Sequence, residues 1–353
     1  MSDTTQTPVE RYGDRLFGSA RLDEFRRLDS LARAFNPASR THLSGLVLPA
    51  NARCLDVGAG TGDVARILAD LVPDGEVVAL DRDTAFLHEL GQPNLTVLGG
   101  DITSPDLDPG QFDLVHARFV LMHVRDRETL LPRLLQWVRP GGWLVLSDAV
   151  DLGATYTAND AYRATLVGLY QAIAATIGSD INFGRRYPQI LIENGLVNIG
   201  VAADIPPVHA GSPLAEFWQL TLGQARSRII ATGLSDDERF DACMNYLEGP
   251  TTWDFSLGMI SAWGQRALSE ARHRPHAASA SIDRSGLSPT GRSTLAGGLV
   301  RGERNVARRV VELEARRVAA GDGTAEPDRV VGTADERLAR DRIARGEVDQ
   351  LGR

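Results

Sequence analysis

The residues best suited to chemistry lie in one run, Leu55-Asp56-Val57-Gly58-Ala59-Gly60-Thr61-Gly62. Glycines here permit left-handed backbone and let the main chain approach a ligand closely. A helix starting after the loop points its N-terminus at the site, which favours a carboxylate. Asp56 stands just before the loop, where it would repel a pyrophosphate and could pair with an ammonium group. The G-x-G-x-G spacing also differs from the G-x-G-x-x-G of dinucleotide sites. Asp81, 19 residues after Gly62, ends a second apolar run. A carboxylate there can accept two hydrogen bonds from a ribose diol.

Other titratable residues are scattered. His123, in Leu121-Met122-His123-Val124, is a candidate pocket residue or base. Asp148 ends an apolar run, where substrate-facing groups gather in open α/β sheets, and is a candidate acceptor contact or base. His116 lies within a strand-like run and reads as structural. His88, His116 and His123 share no ligand spacing with nearby carboxylates, so no metal is expected. Every basic residue is arginine, which removes lysine Schiff-base chemistry. The net charge of −8 argues against a protein that grips nucleic acid through its phosphates. Cys54 and Cys243 form neither a metal motif nor a disulfide framework. With no run of 18 apolar residues and a polar start, the expectation is a cytoplasmic protein without a membrane span.

These residues need a scaffold, and the patterning supplies one. Short apolar runs at Arg53–Val57, Val77–Leu80, Leu95–Leu98, Asp113–Ala117 and Trp143–Ser147 alternate with helical stretches at Asp63–Leu71, Thr84–Leu90 and Asp126–Val138. Continuous apolar strands of this kind are buried on both faces of a parallel sheet. Val197–Val201 and Gly258–Trp263 complete seven strands, the last forming an antiparallel pair. Helices are expected at Ala161–Ile177, Tyr187–Glu193, Pro213–Thr232 and Asp236–Leu247. Residues 10–50 read as helical, broken at Asn36-Pro37, with a short helix Ser39–Leu46. The expected fold is therefore α/β, a Rossmann-like, mostly parallel sheet with helices on both faces. The N-terminal and inserted helices would form a substrate lid. Three parts follow: a helical lid over 1–50, a Rossmann-like domain over 51–270, and an Arg/Ala/Gly-rich tail over 271–353. The tail holds 16 arginines against 12 acids, and its first part, 271–299, reads as a disordered linker. Candidates for lining an acceptor pocket are Arg11-Tyr12, Tyr162, Tyr170, Arg185-Arg186 and Phe217-Trp218. Trp253 and Trp263 sit in apolar settings and are expected in the core.

From Arg53 to Ala149, and more loosely to Ala267, the chain resembles the class I S-adenosylmethionine-dependent methyltransferases. It looks most like an actinobacterial branch related to ubiquinone/menaquinone-type enzymes. The resemblance implies S-adenosylmethionine as cofactor. Asp56, Gly58 and Gly60 match the motif that holds its methionine end, and Asp81 the ribose-binding acid, with Arg82 near the adenine. Gly100-Asp101-Ile102 match the adenine motif, through the Asp101 carboxylate and the Ile102 amide. Phe112–Arg118 resembles the fourth motif, placing Ala117 at the backbone contact to the cofactor amino group and Arg118 near its carboxylate or the acceptor. A small-molecule acceptor is expected, with no nucleic-acid or membrane partner. The nucleophile (O, N or C) and the oligomeric state stay open. Two alternatives remain at this point: a nicotinamide-dependent oxidoreductase, and a non-catalytic cofactor-binding module with a regulatory role.

Overall fold

A computed structural model describes residues 10–18, 21–88 and 90–268. The tail expected from residue 271 onward lies outside them. The chain begins with turns and then the helix α1 (Glu24–Ser44). The sheet strands are β1 (Arg53–Val57), β2 (Glu76–Asp81), β3 (Leu95–Gly99), β4 (Phe112–Arg118), β5 (Val138–Asp151), β6 (Val197–Asp204) and β9 (Leu257–Gln265). Two-residue strands β7 (Val208–His209) and β8 (Trp253–Asp254) form a separate antiparallel ladder. The remaining helices are α2 (Asp63–Leu71), α3 (Arg127–Trp137), α4 (Gly153–Tyr156), α5 (Asp160–Ile177), α6 (Tyr187–Glu193), α7 (Pro213–Ala231) and α8 (Asp237–Glu248).

The seven strands run in the order β3-β2-β1-β4-β5-β9-β6. β9 is antiparallel to both of its neighbours, and the pairings from β3 through β5 are parallel. This is the expected Rossmann-like sheet. The chain steps outward from β1 to β3 and then crosses to β4 on the other side of β1. That reversal opens a crevice at the carboxyl ends of β1 and β4. Apolar clusters cover both faces: Cys54, Leu68 and Val77 on one, Leu55, Trp137 and Leu144 on the other. A third cluster lies among α1, α5, α7 and α8, around Phe35, Tyr162 and Trp218.

Residues 10–18, expected to be helical, form turns and bends instead, and four further local expectations give way. First, α1 runs unbroken through Pro37. Proline in a helix interior costs about 3 kcal/mol. Phe35 and Leu43, both buried, hold the helix on either side of it. Second, residues 85–88 form turns instead of part of a helix. Leu87 N–H donates to Thr84 O at 3.0 Å, a single-turn bond, while the Asp81 and Asp83 carboxylates accept from Asp83 and Ala85 N–H at 3.0 Å. Third, β5 extends across the Arg139-Pro140-Gly141-Gly142 turn signal to Asp151: Val138 pairs with Phe112 of β4, and Trp143 to Asp151 pair with β9. Fourth, Trp253 is 70% exposed and stacks on His209 at 4.5 Å. Its two-residue ladder turns that ring outward, so it is not a core residue.

Candidate functional site

A cavity of about 560 Å³ opens at the crevice. One half is built from strand ends and their loops, the other from helices.

In the strand-end half, Gly58, Gly60 and Gly62 all take left-handed backbone, at φ of 66°, 57° and 78°. Gly58 donates to Leu80 O at 2.7 Å, which ties the loop to β2. A side chain at Gly58 would collide with Val120, its Cβ 2.4 Å from Cγ2, whereas one at Gly60 would project into open space. The loop therefore presents bare backbone to the cavity. Asp56 and His116 are register neighbours on β1 and β4, so their side chains meet, with His116 Nδ1 2.8 Å from the carboxylate. Both are buried. His116 is thus a structural partner, as its position in the strand implies. At the tip of β2 the Asp81 carboxylate accepts from Gly60 N–H at 2.8 Å. Burial pushes its pKa up, against the pull of its backbone donors.

Arg118 leaves the end of β4 and donates to Ser39 Oγ at 2.8 Å and Asn36 Oδ1 at 3.0 Å. Its side chain is held by α1, close to Pro37. Burial lowers its pKa, while Asp56 and Asp63 favour its charge. The next residue, Phe119, has φ of 56°, a strained value for a side chain of this size. Its N–H donates to Ser147 O at 2.8 Å, and its ring meets Phe35 edge-on. Asp101 and Ile102 line the cavity beyond β3. Asp101 accepts from Thr103 and pairs with Arg11, and these partners lower its pKa against burial. Arg82 pairs with Asp14 at 3.0 Å and donates to Tyr12 O. Residues 11–14 therefore cross the β2 and β3 ends.

The helical half is apolar, with Leu31, Leu169, Ile173, Phe217 and Trp218 in its wall. It also contains a polar node that the spacing did not announce. Arg27 grips Glu24 with both Nε (2.8 Å) and Nη2 (2.7 Å), and Nη2 also donates to Tyr12 Oη. Both charged residues are almost fully buried, at 3% and 1% exposed. The Arg27 guanidinium lies 4.4 Å from the Phe17 ring centre. Tyr12 also packs against His123, ring centres 4.5 Å apart and tilted by 32°. Burial raises the Tyr12 hydroxyl to about 12. Burial, with Arg27 and Arg127 nearby, pushes His123 down to about 3. The imidazole is neutral at ordinary pH, with Nδ1 2.7 Å from Ser179 Oγ.

Of the residues singled out from the sequence, Asp56, Gly58, Gly60, Asp81, Arg82, Asp101, Ile102, Arg118 and His123 border the cavity. Ala117 and Asp148 do not. Ala117 is enclosed among sheet residues, one position short of the wall. Asp148 is fully buried behind it, accepting from Met122 N–H at 2.9 Å and from the Tyr187 hydroxyl. Burial raises its carboxyl to about 7. It braces the loop under the cavity and reaches no ligand. Arg11, Tyr12, Tyr170, Phe217 and Trp218 line the cavity as expected. Tyr162 is packed in the helical cluster, and Arg186 pairs with Glu128 outside. Neither these nor Arg185 borders the cavity. Glu24 and Arg27 went unnoticed, although two charges three residues apart on an otherwise apolar stripe were a signal.

A switched parallel sheet, a bare-backbone glycine loop after β1 and an acid at the tip of β2 define a nucleoside-binding Rossmann-like site. The chain's relatives support an S-adenosylmethionine-dependent methyltransferase. Residues 55–146 match the methyltransferase domain family. Among similar proteins, Methyltransferase str2 of Strobilurus tenacellus is 25% identical over 272 residues, covering 73% of this chain and 95% of that one. Trans-aconitate 2-methyltransferase of Deinococcus radiodurans is 31% identical over 166 residues, covering 44% of this chain and 63% of its own. A Haemonchus contortus phosphoethanolamine N-methyltransferase, solved with phosphomonomethylethanolamine and S-adenosylhomocysteine, is similar at a TM-score of 0.46 and 16% identity, covering 74% of this chain and 61% of that one. The matched family and relatives are methyltransferases, so the oxidoreductase and non-catalytic alternatives fall away.

Proposed function

We propose that this chain transfers a methyl group from S-adenosylmethionine to a small-molecule acceptor held in the helical half of the cavity. The observation that carries this reading is the continuity of one cavity from the β1–β3 ends to an apolar helical chamber. In this reading the backbone at Gly58 and Gly60 lies against the methionine end of the cofactor. Asp56 and Arg118 supply an anion and a cation for its ammonium and carboxylate. Asp81 accepts from the ribose hydroxyls, giving up its bond to Gly60 or sharing it. Asp101 and the Ile102 amide take the adenine, with Arg82 beside them.

When bound, the sulfonium supplies an already activated methyl group. The chain's own work is then to align the acceptor and keep water out. Residues 10–18 and α1 close the cavity on one side and act as the lid. His123, neutral and packed against Tyr12, orients the acceptor side of the wall in this reading. With its pKa pushed down to about 3 by burial and the nearby arginines, it is assigned a pocket role rather than that of a base. The finer placement, in the actinobacterial branch related to ubiquinone/menaquinone-type methyltransferases, is part of this reading. Among the described residues no helix is long and apolar enough to cross a membrane. Two separate buried free thiols, Cys54 and Cys243, fit a reducing cytoplasm.

The test is calorimetry with S-adenosylmethionine, followed by incubation of the chain and labelled cofactor with a small-molecule cell extract. Saturable binding and a labelled product of low mass are expected. No binding, or label only in protein or nucleic acid, would overturn the reading.

A further inference from the structure

The helical chamber is assembled so that its charges cancel within the wall. Glu24 and Arg27 are both buried there, joined by two hydrogen bonds. Gln224 adds a third donor to Glu24 at 3.3 Å. Tyr12 and His123 complete the node, and both are uncharged near neutral pH because burial disfavours their ionised forms. Around it stand Leu31, Leu169, Ile173, Phe217 and Trp218. An acceptor carrying a carboxylate would shed its water into a wall whose buried cation is already taken by Glu24. Such a charge is costly without a partner. A neutral acceptor gives up little on entry and gains apolar contact. Tyr12 accepts from Arg27, so its own O–H is left to donate to an acceptor oxygen.

We infer that the acceptor is a neutral, largely apolar molecule bearing an oxygen function, and that the buried Glu24–Arg27 pair is the device that rejects anionic acceptors. This rests on the methyltransferase reading above and specifies the acceptor of that same site. The pair acts by cancellation: with Glu24 made neutral, Arg27 presents an uncompensated cation to the chamber, and selectivity turns toward anions.

The experiment uses the full chain saturated with S-adenosylhomocysteine and the neutral dye Nile red as a reporter. Displacement by 2-naphthol is compared with displacement by 2-naphthoate near neutral pH. The wild type should favour 2-naphthol by about tenfold or more, and Glu24→Gln should shift that ratio toward 2-naphthoate by about tenfold. The double variant Glu24→Gln with Arg27→Met, uncharged again, should restore the preference for the naphthol. It carries the test should the single variant not fold. Ile173→Trp should abolish dye binding while leaving cofactor affinity unchanged, which locates the dye in the chamber. Equal displacement by both competitors in the wild type, an unmoved ratio in Glu24→Gln, naphthoate preference in the double variant, or full dye binding in Ile173→Trp would each overturn the inference. Calorimetry separates the two readings. If the wild type binds S-adenosylmethionine but shows no preference for the naphthol, only this inference fails. If it does not bind the cofactor, the methyltransferase reading fails with it.

Discussion

The strand-end half of the cavity takes Asp56, Gly58 and Gly60 from five consecutive residues. The helical half takes Glu24 from α1, Ile173 from α5 and Trp218 from α7, segments far apart along the chain. The first half presents backbone and acids fixed at strand ends, so its geometry follows from the sheet itself. The second presents side chains whose neighbours are set only when three helices have packed. One local pattern can therefore specify a cofactor site, whereas an acceptor site is a property of the assembled tertiary structure.

The largest test of this contrast is Gly58→Ala. The added Cβ would meet Val120 at 2.4 Å in a left-handed backbone. Cofactor affinity should drop by about a hundredfold or more, near 3 kcal/mol, while Nile red binding persists. Calorimetry and dye titration read the two halves separately, and parallel losses would break the division.

Asp148→Asn, behind both halves, is read in stability rather than in affinity. Folding raises this carboxyl to about 7 from the ordinary carboxylate range. Its contribution to stability is full below about pH 4 and lost as pH rises through 7. The wild type should lose about 4 kcal/mol across that window that the amide variant keeps, with cofactor affinity little changed. Thermal denaturation over a pH series checks the sign, and a pH-independent difference would contradict it.

A smaller effect is expected for Asp81→Ala. It should weaken cofactor binding by about 1–3 kcal/mol through lost charge-assisted hydrogen bonds, without touching dye affinity. The least is expected for Arg11→Ala. Its bridge to Asp101 is solvent-exposed on the arginine side, 57%, and such pairs contribute little. Cofactor affinity should stay within about 0.5 kcal/mol of the wild type. A loss comparable to that of Asp81→Ala would promote this segment from cover to binding element.

The sheet was legible in the sequence because its central parallel strands β1, β2 and β4 are short apolar runs buried along most of their length. The cofactor loop was legible for a related reason, since its work is done by backbone and its residues are contiguous. Side-chain competition was harder to see. The Asp81 and Asp83 carboxylates tie down the N–H groups of Asp83 and Ala85, and the residues after them close turns where the apolar spacing reads as a helix. Pro37 read as a break because a local rule cannot count the buried anchors on either side of it. Asp148 stood at the end of a strand like a substrate contact, but Met122 and Tyr187 had already claimed its carboxylate. The Glu24–Arg27 node escaped notice because its meaning lies in what surrounds it, namely Tyr12, Phe17 and the apolar walls.

The antiparallel strand β9 has a consequence for how the molecule comes into being. It lies between β5 and β6 and pairs with both, although it is the last strand among the described residues. Until Gln265 has been synthesised, β5 keeps a bare edge of unpaired amides and carbonyls, and β6 has nothing to lean on. Pairings this distant in sequence are slow to form. A growing chain can therefore assemble its nucleoside-facing strands early, but it seals the sheet only once β9 has been made.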